Sequence, residues 1–328
     1  MLEESFVLIG VLGNAESWYW HELLRAGGEL GHEVVRLEFP RIVASCGFAL
    51  RAEMSDSFNR TPQARAFSNA RACGVRLNDF RLQAASGDRD LTTFDAVIIR
   101  TMPPGSLEQV VYRMDVLGQL EAAGVTVLNS PKSVECAVDK YLTTAKLEAA
   151  GLPVPETIVC EDSDDALAAF EQLGRDVVVK PIFGSEGRGI MRVSDPDLAL
   201  RTFRTLERLQ AALYLQRFVN HPGYDIRVLV LDGKILGGMK RVSDGDFRTN
   251  VSRDGRGEPH TVTDTEADWA LRASAATGAR FAGIDIMYDR EGRGFVIEVN
   301  AVPGWRAFQR VTGLDVAKLV IEACQTRK

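Results

Sequence analysis

Cysteine, histidine and long apolar runs are all scarce, and each scarcity argues against a class of function. The five cysteines, Cys46, Cys73, Cys136, Cys160 and Cys324, lie far apart with no CxxC pair. That pattern is neither a disulfide framework nor a thiolate zinc site, and it points to free thiols in a reducing cytoplasm. Four histidines are too few and too dispersed for a zinc centre. No apolar run approaches the roughly 20 residues that cross a bilayer, and the N-terminus lacks a basic-then-apolar leader. No membrane partner and no export are expected. Positive charge is not in excess either: the formal net charge is −6. That argues against nucleic acid as a partner. No repeat or low-complexity tract stands out.

What is present reads as an α/β protein. A chain of 328 residues is long enough for two or three domains. A strand over residues 6–10, a helix carrying Trp18, Leu23 and Leu24, and a strand over 33–39 form a β-loop-α-β opening of an open α/β domain. Gly10 and Gly13 lack the GxGxxG spacing of a dinucleotide loop, which argues against a nicotinamide dehydrogenase. The arginines between 41 and 89 fit a solvated helical face plus loop better than an anion-binding patch. Arg100 ends an apolar strand over 94–100, where it either faces a ligand or pairs with a local acid. Ser106 with Gln109, and Thr263 with Glu266, make capping boxes for two helices. Asp232-Gly233 is the strongest hairpin signal. The expected domains are 1–135, an open α/β unit; 136–213, a small lid; and 214–328, a unit built on an antiparallel sheet.

Two stretches carry the chemistry. The first runs from 281 to 304, FAGIDIMYDREGRGFVIEVNAVPG. It reads as two strands around a turn, and a loop near 290–293 sets Asp285 opposite Glu298. Opposed side chains sit about 5 Å apart. Asn300, two residues on, shares their face. Two facing carboxylates and an amide suit magnesium held together with substrate phosphates. The plain alternative is a hairpin with solvated acids. The second stretch is a buried strand delivering Lys180, followed by Gly184, Ser185, Gly187 and Gly189. Glycines let backbone N–H groups approach phosphate oxygens, and the lysine adds a point charge. It is not a Walker loop, because the lysine precedes the glycines. Asp225 and Arg227 share a strand face, and Arg227 and Arg248 suit stabilisation of a transferring phosphoryl group. Lys240 and Arg241 read as surface ion pairs.

Together these pieces resemble the ATP-grasp superfamily, and within it the RimK-type α-L-glutamate ligases. The resemblance runs in order through Asp139-Lys140, Val179-Lys180, the Gly184–Gly189 loop and Asp225-Ile-Arg227. It continues through Asp246-Phe-Arg248-Thr249-Asn250, Ala282-Gly-Ile-Asp285 and Glu298-Val-Asn300-Ala-Val-Pro303-Gly304. It covers residue 90 to the C-terminus, with a weaker N-terminal match. It implies an ATP-grasp fold, ATP as cosubstrate, and magnesium (or manganese) on Asp285, Glu298 and Asn300. Lys140 and Lys180 would contact ATP. Gln216, Arg217, Phe218 and Val219 would be the adenine hinge, acting largely through backbone. Asp225 would lie near the ribose, and Arg248, Thr249 and Asn250 would reach phosphates or substrate. Position 217 is Arg where the family usually has Glu.

The implied reaction is ADP-forming ligation of a carboxylate to an amino acid, expected to be glutamate, through an acyl phosphate. The alternative is a non-catalytic ATP-binding protein on the same fold. Relatives modify protein C-termini, pterin or deazaflavin cofactors, or carrier-linked aminoadipate. Ser17-Trp18-Tyr19-Trp20, Arg100 to Ser106 and Pro303 to Arg306 look more like the branch acting on pterin-type cofactors. A homo-oligomer is expected from the same resemblance.

Overall fold

The computed structural model describes residues 6–45, 83–184, 188–243 and 256–325. The chain forms two compact units: Met1–Pro131 with Asp315–Lys328, and Lys132–Leu314.

In the first unit, β1 (Leu8–Leu12), α1 (Trp18–Glu29) and β2 (Glu33–Leu37) form the expected opening. Three short strands follow, β3 (Ile42–Ser45), β4 (Gln83–Ser86) and β5 (Arg89–Asp90), paired antiparallel. Then come β6 (Ala96–Ile99), α2 (Leu107–Ala122) and β7 (Thr126–Leu128). The main sheet is parallel, in the order β2-β1-β6-β7. Its centre is apolar on both faces, as a covered parallel sheet requires: every residue of β6 is buried. The capping box of α2 is formed, with Gln109 N–H donating to Ser106 Oγ at 3.3 Å and Ser106 N–H donating to Gln109 Oε1 at 3.0 Å. The C-terminal helix Val316–Gln325 packs on α1, where Arg25 pairs with Asp315 at 3.0 Å and Lys318 with Glu29 at 2.7 Å. This grouping differs from the expected division, because the end of the 214–328 segment belongs to the first unit.

Gly27 lets α1 lie against β2. A Cβ there would come within 2.1 Å of Val34 Cγ2. Helix propensity favours alanine by about 1 kcal/mol, but overpacking costs about 1–3 kcal/mol. Gly27→Ala is therefore expected to lower the urea midpoint; a raised midpoint would show that Val34 yields freely.

The second unit begins within α3 (Pro131–Val138), which has proline at its first position. Next come α4 (Lys140–Ala149), β8 (Thr157–Cys160), α5 (Ser163–Gln172), β9 (Val177–Lys180), β10 (Met191–Val193), α6 (Pro196–Arg208) and β11 (Leu213–Arg217). The four strands make an antiparallel sheet, β10-β9-β11-β8. Phe170 and Phe203 pack edge-on beneath it, with Val177, Val179, Leu213 and Leu215.

The remaining elements are β12 (Tyr224–Leu231), β13 (Lys234–Val242), β14 (Arg256–His260), α7 (Asp264–Thr277), β15 (Phe281–Tyr288), β16 (Gly294–Asn300) and α8 (Arg306–Thr312). Their antiparallel sheet has the order β14-β13-β12-β15-β16. Asp232 and Gly233 turn β12 into β13 with φ of 47° and 71°, the left-handed pair that a tight hairpin demands. Trp305, part of the Pro303 to Arg306 stretch singled out for its likeness to one branch of ligases, is a core residue, fully buried against Phe281.

Candidate functional site

The hairpin β15–β16 sets the first wall of the site. Tyr288 pairs with Gly294 and Ile286 with Val296, but Asp285 pairs with Glu298. Ile297 is thus a one-residue bulge, and without it Asp285 would oppose Ile297. The expected pair is present by a different path. The loop is tighter than expected, closed by Asp289 Oδ1 accepting from the N–H groups of Glu291 and Arg293 at 3.0 and 2.8 Å. The bulge restores the register, a familiar device for re-aiming a side chain beside a site. Asn300 Nδ2 lies 3.5 Å from Asp285 Oδ2, so the three residues do share a face.

Asp285 is already matched by positive charge. Arg227, its register partner on β12, donates Nε and Nη2 to its two oxygens, each at 2.7 Å. Arg241 on β13 donates to both oxygens of Asp225 at 2.6 and 2.5 Å and reaches Asp285 Oδ2 at 2.9 Å. Arg241 is 3% exposed, so it is a buried bridge between two carboxylates and not the expected surface pair. Asp225, expected near a ribose, gives its carboxylate to Arg241. Lys240 lies on the other face of β13, over the Tyr224 ring at 4.2 Å.

These contacts explain how the two acids titrate. Burial opposes the charge on Asp285, but Arg227 and Arg241 outweigh it and lower its pKa. Burial and the neighbouring Asp285 raise the pKa of Glu298, partly offset by Lys140, Lys180 and Arg227. Two opposed carboxylates with an amide beside them form an oxygen-only donor set of unequal basicity. That set fits a hard divalent cation sharing its shell with phosphate. Among the described residues no group of three or more His, Cys, Asp or Glu side chains is arranged to hold a metal ion; the amide of Asn300 stands beside Asp285 of the carboxylate pair.

The second wall comes from β9 and β11. Lys180 lies opposite Tyr214 in the ladder, and Gln216 lies opposite Val178 and Thr157. Lys180 Nζ donates to Gln216 Oε1 at 2.6 Å. Lys140, in the first turn of α4, donates Nζ to the carbonyl of Gly184 at 2.8 Å, anchoring the start of the glycine loop. Gly184 and Gly189 have φ of 153° and 73°, which L residues rarely adopt. Ser185, Gly187, Arg248, Thr249 and Asn250, expected at the phosphates, lie outside the described residues, as does most of the arginine-rich 41–89 stretch.

Between the walls, Val178, Ile190, Tyr214, Met287 and Ile297 line an apolar cleft, with Lys140, Lys180, Gln216, Asp285 and Glu298 around it. Such a slot, apolar in its body and polar at its edges, suits a flat heteroaromatic group carrying charge. Of the expected hinge, the N–H groups of Arg217 and Phe218 are committed to the carbonyls of Glu156 and Asp176, at 2.8 and 2.9 Å. Arg217 pairs with Glu156 at the surface. The Phe218 ring lies under Arg192, 3.6 Å from the guanidinium. In the other unit, Arg100 stacks on Tyr19 at 4.6 Å, and burial pushes its pKa down to about 10. The buried side-chain bonds of Gln216, the burial of Arg241, and the apolar lining from Met287 and Ile297 had no local signal in the sequence.

Burial lowers the Lys180 pKa to about 8, with Glu298 pulling it up and Lys140 pushing it further down. The ammonium is therefore present below that pH and lost above it. Anion affinity at this site should fall several-fold between about pH 7 and about pH 9. Lys180→Arg, always charged, should flatten the dependence. A titration of nucleotide binding by calorimetry checks this, and a wild-type curve as flat as that of the arginine variant would contradict it.

Residues 137–324 match the RimK-like ATP-grasp domain, and residues 22–135 match the prokaryotic glutathione synthetase N-terminal domain. Over 268 residues the chain is 34% identical to the tetrahydromethanopterin:alpha-L-glutamate ligase of Methanosarcina acetivorans, covering 73% of this chain and 82% of that one. It is 31% identical over 240 residues to the glutamate–LysW ligase ArgX of Sulfolobus acidocaldarius, covering 71% and 83%. The structure of the ATP-grasp ligase PsnB complexed with minimal precursor superposes with a TM-score of 0.71 at 22% identity, covering 98% of this chain and 99% of that one. The same ligase complexed with minimal precursor, Mg and ADP gives 0.67 at 22% identity, covering 98% of each. The chain belongs to the RimK-like ATP-grasp ligases, ADP-forming enzymes that join a carboxylate to an amine. Its fold is the ATP-grasp fold, one that generally binds ATP and magnesium. No helix among the described residues is long and apolar enough to cross a membrane.

Proposed function

We propose that this ligase joins L-glutamate to a carboxylate on a pterin-type cofactor, using ATP to make the acyl phosphate. One observation carries the reading: a lysine at a glycine loop and a carboxylate pair from a separate sheet line one apolar cleft. Relatives acting on tetrahydromethanopterin and on LysW, by their names, favour glutamate as the amine. The pterin-type acceptor rests on the first of these and on the character of the N-terminal segments.

The chemistry follows from what each group can do. A carboxylate oxygen is a poor leaving group, so the acid must be activated before an amine can displace it. Phosphoryl transfer from ATP supplies phosphate as the leaving group. In this reading the base lies in the apolar slot beside Gln216, Arg217, Phe218 and Val219. Lys140, Lys180 and the Gly184, Ser185, Gly187 and Gly189 loop meet the phosphates. Arg227, whose guanidinium binds Asp285, would stabilise charge on the transferring group. Arg248, Thr249 and Asn250 are assigned to the phosphates or the amino acid. Asp285, Glu298 and Asn300 would hold magnesium or manganese, which neutralises phosphate charge when bound. No side-chain nucleophile is needed, because positioning and charge stabilisation do the work. Closing the loop would keep water from the acyl phosphate. A cytoplasmic homo-oligomer is the expected form.

The test is phosphate release screened over amino acids and carboxylate acceptors. Release is expected only when glutamate and a pterin-type acid are present together. Release with another pair would reassign the substrates. Nucleotide binding with no release for any pair would favour a non-catalytic role, against which the retention of Lys180, Asp285, Glu298 and Asn300 speaks.

A further inference from the structure

Gln216 stands on the hinge strand, where its backbone was expected to matter and its side chain was not. That side chain is 4% exposed and lies in a closed network of hydrogen bonds. Its Oε1 accepts from Lys180 Nζ at 2.6 Å. Its Nε2 donates to Thr157 Oγ1 at 3.0 Å and to Tyr214 OH at 3.1 Å.

The protons of this network can be counted. Thr157 has one hydroxyl proton, donated to the Pro155 carbonyl at 2.8 Å. Thr157 Oγ1 can therefore only accept from Gln216. Thr144 likewise donates its proton to the Lys140 carbonyl at 2.7 Å. The contact between Thr144 Oγ1 and Tyr214 OH, at 3.0 Å, is then a donation from the tyrosine. Tyr214 has no proton left for Gln216 and must accept as well. Both neighbours on one side of the amide are acceptors, so that side has to be NH₂. The flipped amide would set oxygen against two acceptors and NH₂ against an ammonium. Only one orientation is satisfied, and it presents a neutral oxygen to Lys180.

We infer that Gln216 is a positioning residue for the ligase reaction: its amide, locked by Thr157 and Tyr214, aims the Lys180 ammonium into the cleft without cancelling its charge. A carboxylate here would hold the lysine as well but would pair with it, leaving little charge for a phosphate. An aliphatic side chain would leave the ammonium without its buried acceptor. The chain of bonds through Tyr214 and Thr144 to the Lys140 carbonyl ties the same anchor to the first turn of α4. Losing this hydrogen bond to a charged group should weaken phosphate affinity by about tenfold or more.

The inference rests on the proposed contact of Lys180 with phosphate, and the experiment separates the two. ADP affinity by calorimetry, and KM for ATP and kcat by phosphate release, are measured for Gln216→Glu, Gln216→Met, Thr157→Val with Tyr214→Phe, and Lys180→Ala. Gln216→Glu should weaken ADP binding and raise KM by about tenfold or more, with a smaller change in kcat. Gln216→Met, which removes the acceptor of the Lys180 ammonium, should weaken binding by a similar factor. The Thr157→Val, Tyr214→Phe protein keeps Gln216 but frees its amide, and should raise KM several-fold; it serves if either Gln216 variant folds poorly. Loss of affinity in Lys180→Ala with none in the folded Gln216 variants or the double variant overturns the inference alone. Unchanged affinity in Lys180→Ala overturns the phosphate assignment and the inference with it.

Discussion

Asp285→Ala should abolish ADP formation and also weaken the fold, by about 3 kcal/mol or more. The structure gives the reason for the second effect. Asp285 is the anion between Arg227 and Arg241, with contacts of 2.7 and 2.9 Å. Removing it leaves two guanidiniums partly uncompensated in a buried place, and breaking such a pair costs about 3–5 kcal/mol. An inactive Asp285→Ala protein would therefore say little about catalysis unless its stability were measured beside its turnover. Glu298→Gln is the cleaner probe. The Glu298 carboxyl titrates higher when folded than when unfolded, because burial and Asp285 oppose its charge. Its ionised form thus costs stability at neutral pH, and that cost is relieved as pH falls through the folded pKa. Glutamine removes the cost permanently. Glu298→Gln should lose turnover by orders of magnitude and unfold at an unchanged or slightly higher urea concentration. Equal destabilisation in both variants would show that the two acids are not held differently.

Arg241→Met carries the second large effect. It strands Asp225, which is 4% exposed, without its bidentate partner, and takes one of two cations from Asp285. The expected loss is about 3–5 kcal/mol in urea unfolding. Asp225→Leu in the same protein should restore most of it, since an apolar pair of similar volume can replace a buried ion pair at little cost. The double variant still lacks one cation at Asp285, so its recovery should be incomplete. A single-variant loss below about 1 kcal/mol, the range of exposed pairs, would mean that Arg241 is not the buried bridge described above.

The contrast between these residues shows what a linear sequence discloses. Asp285 and Glu298 were legible because two β-rich runs flank a short turn, and the pairing of a hairpin is local. The bulge that makes the pairing work was not, because nothing marks Ile297 as an inserted residue. Arg241 was misjudged for a different reason. Alternation along β13 tells which face it shares but not what lies across the sheet. Its partners come from β12 and β15, and that requires the strand order β14-β13-β12-β15-β16. Gln216 is similar: its three partners sit on β8, β9 and β11. The small sheet of β3, β4 and β5 was missed because Ile42–Ser45 pairs with a strand some 40 positions away. β14 was missed because Arg-Gly-Glu-Pro-His has loop composition, and a proline in a strand is tolerated only at an edge, where this strand lies. Capping boxes, the Asp232-Gly233 turn and the lysine before its glycines were readable because each is a local pattern with a local cause.

The central claim is that the cleft makes an acyl phosphate from ATP and a carboxylate before the amine attacks. Isotope transfer tests it most directly. The acceptor that supports phosphate release is prepared with its carboxylate oxygens replaced by heavy oxygen, and the released phosphate is examined by mass spectrometry. One heavy oxygen should appear in each phosphate formed, because the C–O bond of the acyl phosphate breaks when the amine displaces it. Phosphate carrying only oxygen from ATP and water, with amide still formed, would contradict the account.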